Sequence, residues 1–213
     1  MMKLALFDLD GVIIDTESQY SIFWAGIGQQ YLPDMPDFAQ RIKGQSLVQI
    51  YRGFFGGQEA VQAEITQQLD AFEVKMVYPL FEGVIDFLEE LKKSDIPAAV
   101  VTSSNLQKME NVVRSHPNFS QWFTRIFTAE DSAVSKPAPD CYLNAAKKLG
   151  VDIADCVVFE DSLNGLKSGR AAGAQVLGVA SSHSSEIIAP YCDLVVEKFS
   201  DITLELCHSL CKA

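Results

Sequence analysis

Two aspartates at the end of a short apolar run are the residues in this sequence best suited to chemistry. Residues 4–7 have the length and apolar character of a parallel strand covered on both faces, and Asp8 and Asp10 follow directly. If the backbone stays extended through Leu9, both carboxylates point to the same side, and Gly11 then lets the chain turn away. Ligands bind at the carboxyl ends of strands in open α/β sheets, so this pair is placed for chemistry. A solvated turn is the alternative interpretation.

A second acidic pair follows a second apolar run. Glu160 and Asp161 come directly after residues 156–159, which are predicted to form another buried strand. Three or four carboxylates that meet at one edge of a sheet repel one another unless a cation is present. Oxygen ligands select a hard ion, and a site that keeps waters and meets a phosphate suits Mg²⁺ better than Ca²⁺ or Zn²⁺. An acidic helix N-terminus is the alternative, and it explains one acid better than two.

Hydroxyl and amide side chains follow the predicted strand at residues 98–101. They belong to Thr102, Ser103, Ser104 and Asn105, which precede a predicted helix. Backbone N–H groups and hydroxyls at a helix N-terminus form a ready phosphate site, helped by the positive end of the helix dipole. Helix capping by Ser104 or Asn105 is an alternative role, and it is compatible with phosphate binding because a cap needs only one side chain.

Lys136 is the candidate for the cation that faces a phosphate. It lies in the Ser-Lys-Pro-Ala-Pro loop of residues 135–139, whose prolines stiffen the chain before the next helix. A rigid loop lowers the entropy cost of aiming a flexible ammonium group at the phosphate and at Asp8. A lysine that is simply solvated in a loop is the alternative interpretation.

Alternating helices and strands predict the sheet that must position these residues. Strands are predicted at residues 4–7, 98–101, 126–128, 156–159, 176–179 and 194–196, and helices at 84–93, 106–115, 141–149 and 163–172. Such alternation with short connections predicts an α/β fold with a doubly wound, mostly parallel, Rossmann-like sheet.

The block that follows the first strand is predicted to be helical. Its helices are expected at residues 17–31, 38–42, 47–55 and 59–77. A helical block inserted at this point buries its apolar face only by forming a small bundle of its own. We therefore predict a helical cap domain at residues 16–81, inserted into an α/β core domain of residues 1–15 and 82–213.

Composition limits the partners and the location of the protein. Its 213 residues carry a formal net charge of -11, which argues against non-specific nucleic-acid binding. The N-terminal apolar run stops too early for a secretory signal, and no later stretch approaches membrane-spanning length. Five cysteines without framework spacing indicate reduced thiols. We expect a cytoplasmic protein with no nucleic-acid or membrane partner; its oligomeric state stays open, and a monomer is compatible with the sequence.

Taken in chain order, these features resemble the haloacid dehalogenase superfamily, whose members are mostly phosphotransferases. Residues 7–12, Phe-Asp-Leu-Asp-Gly-Val, together with Asp15 and Thr16 look like its first signature, and Lys136-Pro137 resembles its third. The resemblance covers nearly the whole chain. It points to the branch that contains β-phosphoglucomutase and small sugar-phosphate phosphatases, in which a helical cap follows the first motif.

This resemblance implies a role for each residue. Asp8 would be the nucleophile that forms an aspartyl-phosphate, and Asp10 would be the acid to the leaving group and then the base for water. Lys136 would complete the catalytic set. The phosphoryl group would be held by Lys136 and the 102–105 stretch, chiefly Thr102 and Ser103. Mg²⁺ would be held by Asp8, the backbone carbonyl of Asp10, Glu160 and Asp161.

Within the superfamily the second carboxylate indicates the reaction class. Dehalogenase and phosphonate-cleaving members lack an aspartate two residues after the nucleophile, so Asp10 argues against both. The loop of residues 43–46 resembles a substrate loop of the mutases, but those enzymes carry an arginine near Leu47 and a histidine near Tyr20. We therefore predict a Mg²⁺-dependent phosphatase of small phosphorylated metabolites such as sugar or polyol phosphates. The residues facing the leaving group would be Glu17, Lys43 and Gly44.

Two other functions stay open at this point. A β-phosphoglucomutase-type mutase must hold a second phosphate, and Arg41 or Arg52 is the available substitute for the missing arginine. A non-catalytic binding protein is expected to lose Asp8, Asp10 or Lys136, and all three are present. Dehydrogenase, nucleotide triphosphatase and serine hydrolase functions lack their sequence motifs.

Overall fold

The computed structural model describes residues 1–211, and its centre is a parallel sheet. Within that range the strands are β1 (Leu4–Phe7), β2 (Ala98–Val101), β3 (Arg125–Phe127), β4 (Cys156–Glu160), β5 (Gln175–Val179) and β6 (Leu194–Val196). Their order is β3-β2-β1-β4-β5-β6, and every neighbouring pair is parallel. Phe7 is level with Val100 and Phe159, so the three central strands end at one edge. The predicted doubly wound α/β fold is confirmed.

Helices flank this sheet and also form a separate group after β1. They are α1 (Glu17–Tyr31), α2 (Phe38–Arg41), α3 (Leu47–Phe54), α4 (Glu59–Glu73), α5 (Val84–Lys93), α6 (Leu106–Ser115), α7 (Asp140–Leu149), α8 (Leu163–Ala172), α9 (Ser185–Ile188) and α10 (Leu204–Leu210). Short 3₁₀ helices lie at Phe119–Gln121, Ala129–Asp131, Ile153–Asp155, Ala189–Tyr191 and Phe199–Asp201. Within residues 1–211, none of these helices combines the length and the apolar character that crossing a bilayer requires.

Apolar side chains cover both faces of the sheet, because β1, β2 and β4 are buried along their whole length. On one face Ala5 and Phe7 pack with side chains of α5, α6 and α10. On the other face Leu4 and Leu6 pack with α7, α8 and α9. The Phe7 ring stacks on the Phe159 ring with centroids 4.3 Å apart. Burial of each such side chain contributes about 1.5–3 kcal/mol, so the strand ends are held rigidly.

The helices α1 to α4 have a hydrophobic core of their own. Its buried members are Trp24, Ile27, Phe38, Ile42, Ile50, Phe55, Ile65 and Leu69. The two connections to the sheet run side by side, since Asp15 N–H donates to the Pro79 carbonyl at 2.8 Å and Phe81 N–H donates to the Ile13 carbonyl at 3.1 Å. These features support our proposal that residues 16–81 form a cap on a core of residues 1–15 and 82–213.

Two predicted boundaries differ from the structure in ways that affect the site. The helix predicted at residues 59–77 ends at Glu73. There the Tyr78 hydroxyl donates to the Glu73 carbonyl at 2.6 Å, which gives a partner to one of the backbone carbonyls that have none within the helix. Strand β4 runs one residue beyond its predicted end, so Glu160 is its buried last residue. The other predicted elements agree within one residue, and α9 and α10 are additional helices.

Candidate active site

A cavity of about 570 Å³ lies between the carboxyl edge of the sheet and the helices α1 to α4. Most predicted site residues line it: Asp8, Asp10, Thr102, Ser103, Ser104, Asn105, Lys136 and Asp161 from the sheet side, and Glu17, Lys43 and Gly44 from the helical side. Glu160 is fully buried behind this surface. The structure therefore brings the predicted side chains together around one space, at the edge where ligands bind in α/β sheets.

Asp8 at the end of β1 is paired with Lys136. The Lys136 ammonium lies 2.7 Å from Asp8 Oδ1 and donates to the Val101 carbonyl at 3.0 Å. Only 5% of Lys136 is exposed. A charge buried to this degree is stable only when it is paired, so Lys136 is not a solvated loop lysine.

Glu160 holds Lys136 from the other side. Its Oε1 accepts hydrogen bonds from Lys136 at 2.7 Å and from the Tyr142 hydroxyl at 2.9 Å. Its Oε2 accepts from the Asp161 N–H, the Ser162 N–H and the Ser162 hydroxyl, each at 3.1 Å. Protein donors thus meet both oxygens of Glu160, and this arrangement positions Lys136. A direct role of Glu160 as a metal ligand stays a prediction.

The short segment after β1 turns as its sequence predicts. Asp8 and Asp10 line the same cavity while Leu9 is completely buried. The backbone is not extended through Leu9, because β1 ends at Phe7 and Leu9 lies in a bend. Gly11 follows with φ of +78°, a conformation that side chains rarely adopt. A Cβ on Gly11 would also lie 2.0 Å from Asp161 Oδ2. Glycine at this position therefore allows the turn and leaves room for Asp161.

Asp10 is held by three donors. Lys108 Nζ lies 2.6 Å and 2.5 Å from its two carboxylate oxygens. The Ser104 hydroxyl donates to Oδ2 at 3.2 Å, and the Thr16 hydroxyl donates to Oδ1. Thr16 and Lys108 are both buried, so the orientation of Asp10 is well defined.

The carboxylates beside Asp8 fit a bound cation. One oxygen each from Asp8, Glu160 and Asp161 lie within 4.8 Å of one another. Asp161 Oδ2 accepts from the Ser182 hydroxyl, whereas Asp161 Oδ1 is buried without a hydrogen-bond partner. A buried carboxylate oxygen without a partner is costly, and a cation removes this cost. The set contains only oxygen ligands, which suit a hard divalent ion.

Burial and charge set the protonation of these groups. Burial raises the pKa of Asp8 to about 7, although Lys136 acts in the opposite direction. Burial raises the pKa of Asp161 well above its ordinary value, and Glu160 and Asp8 add to the effect. Burial lowers the pKa of Lys136, but Asp8 and Glu160 outweigh it and leave this pKa well above its ordinary value. Lys136 therefore stays charged, and a cation between the acids favours their charged forms.

The stretch from Thr102 to Asn105 forms the entry to α6. The Asn105 side chain accepts from the Lys108 N–H at 2.8 Å and caps the helix. The Thr102 hydroxyl accepts from the Ser104 N–H at 3.0 Å, and Ser103 is exposed at the cavity. The Asn105 side chain therefore caps α6, which is one of the two roles that the sequence predicts for this stretch. The phosphate-binding role of the stretch stays a prediction.

Contacts between α1 to α4 and the loops of the sheet close one side of the cavity. The Gln49 amide donates to the Lys136 carbonyl at 2.8 Å, and the Asn164 amide donates to the Gly44 carbonyl at 2.8 Å. A Cβ on Gly44 would lie 2.9 Å from Ser162 Cβ. Gly44 therefore permits a close approach of the two parts of the chain. Beside it, Lys43 and Glu17 form an ion pair at 3.3 Å.

Sequence reasoning missed several residues that hold the predicted ones. They are Lys108 beside Asp10, Tyr142 and Ser162 beside Glu160, and Ser182 beside Asp161. Thr16, which donates to Asp10, belongs to the first signature but had no role assigned to it. Only Lys108 could have been noticed in the sequence. Its positive charge lies in the first turn of α6, where it opposes the helix dipole and therefore needs a partner. The partners of Tyr142 and Ser182 lie about 20 residues away along the chain, and no local pattern identifies them.

A Cβ at Gly165 is expected to displace Glu160. Gly165 lies in the first turn of α8, and a Cβ there would lie 1.7 Å from Glu160 Oε1. Gly165→Ala should lower the free energy of unfolding by about 1–3 kcal/mol, the usual cost of overpacking, as measured by urea denaturation. Gly26→Ala is the matched control, because Gly26 is exposed in α1 with nothing within 4 Å, and it should raise stability by about 0.5–1 kcal/mol. Equal stability of both variants would contradict the close packing around Glu160.

The sequence and the fold match a known class of enzymes. The family model for haloacid dehalogenase-like hydrolases matches residues 2–173. The chain belongs to the haloacid dehalogenase-like hydrolases, which confirms the resemblance seen in its motifs.

Several relatives resemble the chain over most of its length. The β-phosphoglucomutase of Bacillus subtilis is 31% identical, over 97% of this chain and 94% of that protein. Hexitol phosphatase A of Escherichia coli is also 31% identical, over 93% of this chain and 92% of that protein. A bifunctional riboflavin kinase/FMN phosphatase of Arabidopsis thaliana is 28% identical over 96% of this chain, which spans 55% of that longer protein. The crystal structure of a family IA, variant 3, hydrolase from Entamoeba histolytica aligns with a TM-score of 0.87, 27% identity and full coverage of both chains.

Proposed function

We propose that this protein is a Mg²⁺-dependent phosphatase of small phosphorylated metabolites, in particular sugar or polyol phosphates, that acts through an aspartyl-phosphate on Asp8. One observation carries the proposal: Asp8 Oδ1 lies 2.7 Å from the Lys136 ammonium in a cavity that Asp10 and Asp161 also line. Membership of a hydrolase family supports hydrolysis, and the relative named hexitol phosphatase A supports the substrate class.

Phosphoryl transfer would take place in two steps. In the first, an Asp8 carboxylate oxygen forms a bond to phosphorus, the bond to the leaving oxygen breaks, and Asp10 donates a proton to that oxygen. In the second, Asp10 takes a proton from a water that attacks phosphorus, which releases inorganic phosphate and restores Asp8. Lys136 offsets the charge of the phosphoryl oxygens in both steps. A positioned acid and base such as Asp10 contributes about 10²–10⁴-fold.

Other residues would hold the phosphate and the metal. The hydroxyls and backbone N–H groups of Thr102, Ser103, Ser104 and Asn105 would bind phosphoryl oxygens at the start of α6. The proposed metal ligands are Asp8, the Asp10 carbonyl, Glu160 and Asp161. When bound there, Mg²⁺ supplies charge stabilisation for the transferred group.

The charges of the cavity favour hydrolysis over the mutase reaction. Among the described residues that line it, the cations are Lys43, Lys108 and Lys136, and each lies within 3.3 Å of a carboxylate. A mutase must hold a second phosphate as well. Lys136 is assigned to the transferred phosphoryl group, and Lys43 and Lys108 would have to leave Glu17 and Asp10 to bind another phosphate. Arg41 and Arg52, the alternative sources of such a cation, are not among the lining residues. The cavity therefore suits a monophosphate.

Release of inorganic phosphate from a panel of phosphorylated metabolites, measured with Mg²⁺, tests the function. The panel should contain hexose phosphates, polyol phosphates, nucleotides and phosphoglycolate. We expect release from sugar or polyol phosphates that depends on Asp8. Conversion of a hexose 1-phosphate to its 6-phosphate without phosphate release would favour the mutase, and binding without turnover would favour a non-catalytic protein.

Mg²⁺ is expected to stabilise the wild-type fold through Asp161. A ligand that binds only the folded state at a hundred times its Kd adds about 2.7 kcal/mol, which corresponds to a rise in Tm of about 5–10 °C for a chain of this size. Thermal unfolding with and without Mg²⁺ measures this rise and needs no substrate. Asp161→Asn should abolish it, whereas Asp193→Asn, outside the cavity, should keep it. The same Mg²⁺-dependent rise in both variants would contradict a metal site at Asp161.

The cytoplasmic location is also part of this proposal. The cysteines described in the structure, Cys141, Cys156, Cys192, Cys207 and Cys211, are all free thiols. Free thiols are usual in a reducing compartment, where small phosphorylated metabolites are also found.

A further inference from the structure

Glu73 is a buried carboxylate that the proposed reaction does not use. It is the last residue of α4, it is 5% exposed, and it lines the cavity on the side of the helices α1 to α4. Burial of a carboxylate is costly, and a negative charge at the end of a helix opposes the helix dipole. Because both burial and the helix dipole disfavour a carboxylate at this position, Glu73 is a candidate for a role in binding.

The Glu73 side chain is held in one orientation. Its Oε1 accepts a hydrogen bond from the Tyr20 hydroxyl at 2.7 Å. The backbone carbonyl of Glu73 accepts from the Tyr78 hydroxyl at 2.6 Å. The Tyr20 ring in turn packs against Lys108, whose ammonium lies 4.5 Å from the ring centroid and contacts Asp10. Glu73 is therefore fixed near the groups that surround Asp10.

Apolar side chains lie beside Glu73 in the same part of the cavity. Leu69 is four residues before Glu73 on α4, and Trp24 is four residues after Tyr20 on α1, so each pair shares one helix face. All four residues line the cavity. The wall formed by α1 and α4 thus combines one hydrogen-bonding pair, Tyr20 and Glu73, with one apolar pair, Trp24 and Leu69.

We propose that Glu73 determines substrate specificity by accepting a hydrogen bond from a hydroxyl or ammonium group of the leaving group, while an apolar face of the same group packs against Trp24 and Leu69. This inference rests on the proposed phosphatase function. The substrate class that fits is a monophosphate ester of a polyhydroxy or amino compound. A second anionic group is disfavoured because it would face the Glu73 carboxylate. Burial raises the pKa of Glu73 above its ordinary value, and the Lys108 ammonium acts in the opposite direction.

Three substrates separate specificity from a purely structural role. p-Nitrophenyl phosphate has no hydroxyl or ammonium donor on its leaving group, a hexitol 6-phosphate has hydroxyls, and glucosamine 6-phosphate has both. Glu73→Gln keeps an acceptor oxygen but removes its charge, so kcat/KM should fall about 5- to 10-fold for the hexitol 6-phosphate and about 10- to 100-fold for glucosamine 6-phosphate. For p-nitrophenyl phosphate the change should stay within about twofold. The larger effect is expected for glucosamine 6-phosphate, because an ammonium pairs with a charge.

Two controls keep this test decisive. Glu64→Gln makes the same chemical change at an exposed position of α4 and should leave all three kcat/KM values within about twofold. If Glu73→Gln does not fold, the double variant Tyr20→Phe, Glu73→Leu removes both hydrogen-bond partners together and should show the same substrate dependence.

The possible results distinguish this inference from the proposed function. Hydrolysis of none of the three substrates by the wild-type enzyme would overturn the phosphatase function and this inference with it. In the other case the wild type hydrolyses these substrates while Glu73→Gln lowers kcat/KM equally for all three, or for none of them. Either result would overturn only the role of Glu73.

Discussion

Asparagine in place of Asp8 is expected to lower kcat by at least about 10³-fold, because an amide cannot act as the nucleophile that receives the phosphoryl group. The substitution keeps the size of the side chain and an oxygen that can accept from Lys136, so the fold should be retained. Lys136 also keeps its second partner, Glu160, at 2.7 Å. Phosphate release from the best substrate of the panel, with Mg²⁺ present, measures the effect.

The matched control for this variant is Asp155→Asn. Asp155 forms a surface ion pair with Lys3 at 2.7 Å and lies outside the cavity, so its replacement should leave kcat unchanged within about twofold. Phosphate release by Asp8→Asn at a rate close to that of the wild type would rule out a covalent mechanism at residue 8.

Methionine in place of Lys136 is expected to affect both stability and activity. It leaves Asp8 and Glu160 without the cation that they share, and loss of one member of a buried ion pair usually costs about 3–5 kcal/mol of unfolding free energy. The folded variant should also lose about 10²–10³-fold in kcat/KM, because the charge that stabilises the transferred phosphoryl group is gone. Urea denaturation and steady-state kinetics measure the two effects separately.

Lys148→Met provides the comparison for this variant. Lys148 pairs with Asp131 at 3.2 Å, and 38% of its side chain is exposed, so its loss should cost less than about 1 kcal/mol. If Lys136→Met were as stable as Lys148→Met, the buried pairing of Lys136 with two carboxylates would be wrong.

The sheet and most of the site were predictable because both depend on local patterns. Residues 4–7, 98–101 and 156–159 are apolar throughout, as strands buried on both faces must be, and polar groups appear directly where each run stops. Strand ends of a parallel sheet meet at one edge, so Asp8, Thr102 and Asp161 could be placed at one site before the structure was known. Lys136 could be predicted as the cation that faces Asp8 because it lies in a loop that prolines stiffen.

The contacts that refine the site could not be predicted, because they join residues far apart in the chain. Lys108 pairs with Asp10 across 98 residues, and Gln49 donates to the Lys136 carbonyl across 87 residues. The end of β4 was also misplaced by one residue, which hid the burial of Glu160 and its pairing with Lys136. Hydrophobic patterns identify the face of an element but not the distant side chain that meets it.

A covalent phosphoryl group on Asp8 is the central claim, and Asp10→Asn with p-nitrophenyl phosphate tests it most directly. p-Nitrophenolate leaves without help from an acid, whereas attack of water on the intermediate needs the base, so the intermediate should accumulate in this variant. After rapid acid quench and proteolysis, mass spectrometry is expected to find the phosphoryl group on the peptide that contains Asp8, together with a burst of one p-nitrophenolate per active site. Continued p-nitrophenolate release without a burst and with unmodified Asp8 would contradict the mechanism.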